Sequence, residues 1–311
     1  MTSFQTVSAG GLEVFYREAG KPGAPKLLLL GGFPSSSHQF RNLMPALADR
    51  FHLVAIDYPG FGNTEMPDPA AWDYSFDHLA EIVDESLLAI DFTGPMGLYM
   101  QDYGGQIGNR LISLHPDWLE WQVIQNSNLY EEGFTEIWDG IRHVLWVERT
   151  ARTEAPVAAL LEPEAVKAIY LTGHRDPAKI SPDNWNLDLH FLARPNARRV
   201  QLDLLYDYRT NAAQYPAWQR RLRRDQPKTL IFWGRGDLFF TPAGGEAYLR
   251  DLPDAKLVRL DSGHFATEDC LQDIVDGITG FYDETVKWTG RTSSRSKGIS
   301  QPNSQCRSRR R

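Results

Sequence analysis

Short runs of consecutive apolar residues alternate along the chain with longer segments of helical spacing. The stretch "LEVFYREAG" (12–20) alternates and carries aromatic and β-branched residues, which predicts a strand. "KLLLLGG" (26–32) is continuously apolar and ends in glycines, as expected of a strand buried on both faces of a parallel sheet. "FRNLMPALADR" (40–50) has helical spacing interrupted by Pro45, and "FHLVAIDYPGFG" (51–62) predicts a strand stopped by a Pro-Gly turn. A helix is expected over about 76–90, a strand running into Asp102, a helix near 105–114 and a strand within "WLEWQVIQNS" (118–127). Such alternation predicts an α/β fold, a parallel sheet with helices on both faces.

The alternation stops near residue 130. From there to about 225 the chain holds several helical stretches and no buried strand. "KTLIFWGRGD" (228–237) resumes the sheet, followed by a helix near 243–251, the strand "AKLVRLDSG" (255–263) and a last helix near 266–284. A long helical insert between two strands of one sheet reads as a cap over the strands' carboxyl ends, where open α/β sheets bind ligands. The expected organisation is a core of 1–129 and 226–289, a cap over 130–225 and a tail over 290–311.

Composition narrows the class. Of 311 residues, 42% are hydrophobic and 23% charged, an ordinary soluble mix. The formal charge is −7, yet the tail holds Arg291, Arg295, Lys297, Arg307, Arg309, Arg310 and Arg311 and no acid. The remainder is therefore markedly more acidic than the whole, which argues against nucleic-acid binding. The tail itself is polar and without periodicity, and is expected to be disordered. Two cysteines, Cys270 and Cys306, make a disulfide framework unexpected. No apolar run approaches the roughly 20 residues of a membrane span, and no signal-peptide pattern opens the chain, so a cytoplasmic location is expected. The histidines lack ligand spacing, and neither a metal nor a cofactor is expected.

Three candidates for chemistry directly follow predicted strands: Asp102, Asp237 and His264. Each alone could be a turn or loop residue. Their chain order, however, is nucleophile, acid, histidine. With "GGFP" (31–34), "DYPGFG" (57–62), "QDYGG" (101–105), "WGRGD" (233–237) and "GHF" (263–265), the sequence resembles the α/β-hydrolase superfamily over about residues 10–285. Within it, the likeness is to the branch with an aspartate nucleophile, which contains epoxide hydrolases and haloalkane dehalogenases. The resemblance implies a mostly parallel eight-stranded sheet flanked by helices, with an inserted helical cap. It further implies backbone N–H groups of Phe33 and Tyr103 as an oxyanion hole, and a cis bond between Phe33 and Pro34. The sequence departs from the family where Gly31 replaces a usual histidine and Tyr103 a usual tryptophan.

An ionised carboxylate at the strand end suits displacement at saturated carbon, which leaves an alkyl ester. Attack on an acyl carbonyl would instead give a high-energy anhydride. The expected substrate is thus a small, largely apolar molecule such as an epoxide, with no cofactor. The resemblance of "YDYRTN" (206–211) assigns Tyr208 to the leaving oxygen, and Tyr170 is the candidate second tyrosine. Trp146 is expected at the substrate, with Trp138, Trp185, Tyr206 and Tyr215 as further candidates for an apolar lining. Tyr103 and Phe33 stand where a dehalogenase often carries halide-holding Trp and Asn residues, which favours epoxide opening. Dehalogenation and a non-hydrolytic or ligand-binding use of the fold remain open alternatives.

Overall fold

Eight strands form one sheet in the order β1-β2-β4-β3-β5-β6-β7-β8: β1 (Ser3–Ala9), β2 (Leu12–Ala19), β3 (Lys26–Leu30), β4 (His52–Ile56), β5 (Met96–Gln101), β6 (Leu119–Gln125), β7 (Lys228–Gly234) and β8 (Lys256–Leu260). The computed structural model describes residues 1–287; the expected basic tail, with Cys306, lies outside them. Strands β1, β2 and β4 pair antiparallel, and every pairing from β4 through β8 is parallel. This is the α/β-hydrolase sheet that the resemblance implies.

Why the central strands read as continuous apolar runs is visible in their side chains. Leu28 and Leu30 enter one core layer while Leu27 and Leu29 enter the other. On β7 the same division separates Ile231 and Trp233 from Leu230 and Phe232. A strand with helices on both faces needs apolar residues at both parities. The first face is covered by α2 (Phe76–Ala89) and α3 (Tyr103–Leu114), the opposite one by α1 (Leu43–Leu47) and, near the chain's end, a helix following β8.

Between β6 and β7 lie α4 (Ile137–Gly140), α5 (Ala151–Ala158), α6 (Pro163–Leu171), α7 (Asp183–Leu192) and the long α8 (Ala197–Asp225). Helix α8 is tied to the sheet's helices by charge and hydrogen bonds. The Arg110 guanidinium on α3 donates to Asn211 Oδ1 at 2.6 Å, and Asp207 Oδ2 accepts from the Phe76 N–H that opens α2 at 2.8 Å. Helices α9 (Pro242–Asp251) and α10 (Leu271–Phe281) follow β7 and β8.

Three local expectations change, and one strand was not expected. The helix expected over 40–50 shrinks to α1, with a tight turn over Ser37–Phe40 before it. Pro45 sits in its first turn, where a missing N–H costs no helical bond. The helix expected from 105 already starts at Tyr103. The last helix begins at Leu271 rather than 266, because residues 262–269 are held by tertiary bonds, such as Ser262 Oγ to Asp269 Oδ1 at 2.6 Å. Strand β1 has no individual signal in the sequence: it is an edge strand whose side chains are mostly exposed.

Candidate active site

Strand β5 ends at Gln101 and α3 begins at Tyr103, so one residue makes the whole turn. That residue, Asp102, has φ 49° and ψ −120°, outside the broad regions open to L-residues. Holding it there costs on the order of 1–3 kcal/mol. The strain places a carboxylate at the carboxyl edge of the sheet. The side chain is buried, at 3% exposure.

Two backbone amides hold this carboxylate. The Phe33 N–H donates to Asp102 Oδ1 at 2.7 Å, and the Tyr103 N–H also donates to the carboxylate. These are the two donors that the resemblance implies for an oxyanion hole. The Phe33–Pro34 peptide bond is cis, as the same resemblance implies. Gly32 must lack a side chain, since a Cβ would fall 2.1 Å from Asp102 Oδ1. At Gly31, where the family usually has histidine, the side-chain space is filled by the Gln39 amide. The Gly31 carbonyl is instead held by the Tyr58 hydroxyl at 2.9 Å.

His264 and Asp237 reach the same place from the ends of β8 and β7. His264 Nδ1 lies 3.0 Å from each Asp237 oxygen, and its Nε2 lies 3.9 Å from Asp102 Oδ2. The ring is wholly buried against Phe239, Phe240 and Phe265. The three candidates, far apart in sequence, are thus brought together. Burial pushes the Asp102 carboxyl up to about 6, against the opposing pull of His264 and the two amides. For His264, burial opposes the charged form most strongly, but the Asp237 and Asp102 carboxylates together outweigh it and the proton affinity rises.

Tyr208 is fully buried on α8 and faces this centre, with its ring 5.9 Å from that of Tyr103. Its hydroxyl accepts from Gln106 Nε2 at 3.0 Å and lies 3.1 Å from the Tyr215 hydroxyl. Trp146 stacks on Tyr208 at 6.3 Å, and Trp138 packs against it at 4.6 Å. Tyr170, Trp185 and Tyr206 have other partners. Tyr170, the expected second tyrosine, gives its hydroxyl to Asp188 Oδ2 at 2.5 Å and stacks on Phe265. Trp185 packs near Tyr170, and Tyr206 is held between Arg149 and Arg209 beside an open surface cleft of about 500 Å³. Tyr215 lies two turns along the helix that carries Tyr208, and the two hydroxyls are 3.1 Å apart.

Several polar side chains around the site had no place in the sequence reading. Asn126, at φ 43° after β6, donates to Asp237 Oδ2 at 2.8 Å and is fixed by the Gly234 backbone. Gln125 donates to the His264 carbonyl at 2.9 Å and accepts from Tyr99. The available signal was the cluster Gln125, Asn126 and Ser127 ending an otherwise buried strand, since buried polar groups there need partners. Among the described residues, no group of three or more His, Cys, Asp or Glu side chains could hold a metal ion, and no helix is long and apolar enough to cross a membrane.

Residues 25–269 match the family described as the alpha/beta hydrolase fold, and the chain belongs to that family. It is 37% identical over 277 residues to an uncharacterized hydrolase of Saccharomyces cerevisiae, covering 88% of this chain and 94% of that one. A cis-3-alkyl-4-alkyloxetan-2-one decarboxylase of Shewanella oneidensis is 25% identical, over 90% of this chain and 88% of its own. Haloalkane dehalogenases and epoxide hydrolases are also among its relatives. The solved structure of the epoxide hydrolase CorEH without ligand superposes with a TM-score of 0.71 at 18% identity, over 91% of this chain and 99% of that one. The protein is a hydrolase of the α/β family, and these relatives differ enough in reaction that the site must decide the leaving group.

The raised proton affinity of Asp102 has a thermodynamic consequence. Folding favours its neutral form, so stability falls as pH rises from about 4 to about 6, and the cost is complete above that range. The displacement corresponds to on the order of 3 kcal/mol. Asp102→Asn should therefore melt higher than wild type at pH 7.5, with the difference shrinking toward pH 4.5. Equal melting at pH 7.5 would show that the buried charge carries no such cost.

Proposed function

We propose that the protein hydrolyses epoxides to vicinal diols through an alkyl ester on Asp102. The observation that carries this is the division of labour on one carboxylate: Oδ1 accepts from the Phe33 amide, the Tyr103 amide also donates to the carboxylate, and Oδ2 faces His264. In this reading Oδ2 attacks an epoxide carbon and the ring C–O bond breaks. Water then adds to the Asp102 carbonyl carbon as His264 Nε2 takes its proton. The developing oxyanion falls where Phe33 and Tyr103 already donate, and one such donor is typically worth about 10²–10³ in rate. Asp237 keeps the imidazole in the tautomer with a proton on Nδ1 and stabilises the imidazolium that forms.

The leaving group is argued from the hydroxyl pair. Tyr208 and Tyr215 hold two phenolic protons and share one hydrogen bond, so one proton stays free whichever way that bond points. Burial and the nearby Asp102 charge hold both hydroxyls protonated far above neutral pH. A protonated phenol beside the carboxylate suits an epoxide oxygen, which leaves as an alkoxide. Halide binding calls instead for free N–H donors. Here the indole N–H of Trp138 is spent on the Phe239 carbonyl at 3.1 Å and that of Trp146 on the Leu205 carbonyl at 2.9 Å. The helical segment between β6 and β7 serves in this reading as the cap that supplies the donors. The aromatic surround fits a small apolar substrate.

His264→Gln removes the base and leaves the attacking carboxylate. With styrene oxide it should accumulate protein heavier by one substrate, because ester hydrolysis loses about 10²–10⁴ in rate while alkylation persists. In ¹⁸O-water, one turnover of excess wild-type enzyme should give mostly unlabelled diol and place ¹⁸O in the Asp102 peptide. Fully labelled first diol would make Asp102 a general base and end the ester scheme.

Tyr208→Phe tests the donor. Alkylation by styrene oxide should fall about 10²-fold, within the range for general acid catalysis, while the small volume change leaves the fold intact. Alkylation at the wild-type rate would return Tyr208 to packing. Halide released from 1,2-dibromoethane with no diol from epoxides would transfer the assignment to dehalogenation.

A further inference from the structure

Strand β5 delivers a second polar side chain next to Asp102. Gln101 is completely buried, and its side-chain nitrogen lies 3.0 Å from His264 Nε2. Its carbonyl oxygen, Oε1, is buried as well and has no hydrogen-bond partner among the described residues. Leaving a buried acceptor unmet is costly. A side chain that served packing alone would not need an amide here.

The groups facing His264 leave Gln101 a defined place. Asp237 takes Nδ1, the Asp102 carboxylate stands 3.9 Å from Nε2, and the rings of Phe239, Phe240 and Phe265 form apolar walls. With the Nδ1 proton donated to Asp237, neutral Nε2 carries a lone pair, and the Gln101 N–H is the donor that matches it. Once Nε2 bears a proton, that donor opposes it, and turning the amide over presents the unpartnered Oε1 as an acceptor. One side chain thus fits both protonation states of the ring.

We propose that Gln101 is a positioning residue for ester hydrolysis: its N–H holds His264 Nε2 in the resting enzyme, and its Oε1 turns to accept a hydrogen bond from the water that His264 deprotonates. In that step the water oxygen bonds to the Asp102 carbonyl carbon, and one water proton passes to Nε2. The carbonyl electron pair moves onto the oxygen facing the Phe33 and Tyr103 amides. Collapse of this adduct breaks the bond to the alkoxy oxygen, which takes the proton back from Nε2. The ester carries no charge, so the support that the Asp102 carboxylate gives to imidazolium is absent during this step. Gln101 Oε1 supplies an acceptor in its place. This role presupposes the Asp102 ester proposed above.

The test uses the full chain, labelled histidine and styrene oxide. Gln101→Met keeps length and removes both amide groups. The titration midpoint of His264 in the resting enzyme, read by NMR, should rise by about half a unit or more, because a donor to the neutral ring is lost. Alkylation should stay within about twofold of wild type, while ester decay slows at least tenfold even at a pH where His264 is neutral. Gln101→Glu, the second variant, should move the pH midpoint of ester decay upward by pairing with imidazolium. If no adduct forms on His264→Gln, the ester falls and the role of Gln101 falls with it. If that adduct forms, but Gln101→Met leaves the His264 titration and the ester decay as in wild type, the role of Gln101 alone is overturned.

Discussion

Most of the site depends on keeping one carboxylate ionised in a place without water. Asp102 is almost wholly buried, on a backbone conformation few side chains tolerate, and its proton affinity is raised as a result. Three things hold the charge there. Two amides donate to the carboxylate, that of Phe33 to Oδ1, His264 stands opposite Oδ2, and the sheet fixes the distance between them. The Phe33 amide comes from the loop after β3 and the Tyr103 amide from the first turn of α3, so neighbouring strands must keep register for both to reach one carboxylate. Close packing is the condition for this, which is why Gly32 has no room for a methyl group.

The segment between β6 and β7 adds what the sheet cannot supply. The strand ends carry carboxylates, an imidazole and amides, whereas the phenols come from α8. Tyr208 and Tyr215 are seven residues apart on one helix, two turns, and so share a face. Gln106 on α3 reaches across to the Tyr208 hydroxyl and also donates to the Asn128 carbonyl, linking that face to the core. Arg110 and Asp207 reinforce the same seam. The phenols and the carboxylate are therefore positioned by hydrogen bonds to α3, the helix that begins at the turn holding Asp102.

How far the sequence revealed this depended on the kind of signal each part leaves. The buried strands were legible because a doubly covered strand must be apolar at both parities, as in "KLLLL" and "HLVAI". Strand β1 left no such mark, since its exposed side chains obey no burial pattern. Asp102, Asp237 and His264 were legible from order and strand context, and the structure does bring them together. Tyr170 was placed by spacing along the chain, yet the fold turns its hydroxyl to Asp188, while Tyr215 arrives beside Tyr208 through helix periodicity. Asn126, Gln125 and Gln101 were hidden for another reason. Their meaning lies in partners more than a hundred residues away, which no local pattern records.

The chemistry proposed here asks opposite things of Asp102 in its two halves. Attack on carbon needs a charged oxygen, and in the proposed scheme that is Oδ2, the oxygen opposite His264 and not the one held by the Phe33 amide. Ester hydrolysis needs a polarised neutral carbonyl, and the amides already donating to the Asp102 carboxylate, that of Phe33 to Oδ1, can supply that without rearrangement. His264 follows the same alternation, supported by the Asp102 charge in the resting state and deprived of it in the ester. An enzyme of this kind benefits from a neighbour able to donate or accept at Nε2, and a buried amide with one unpartnered oxygen has that capacity. The carboxylate at the strand end thus determines both the first bond made and the demands placed on every group around the histidine.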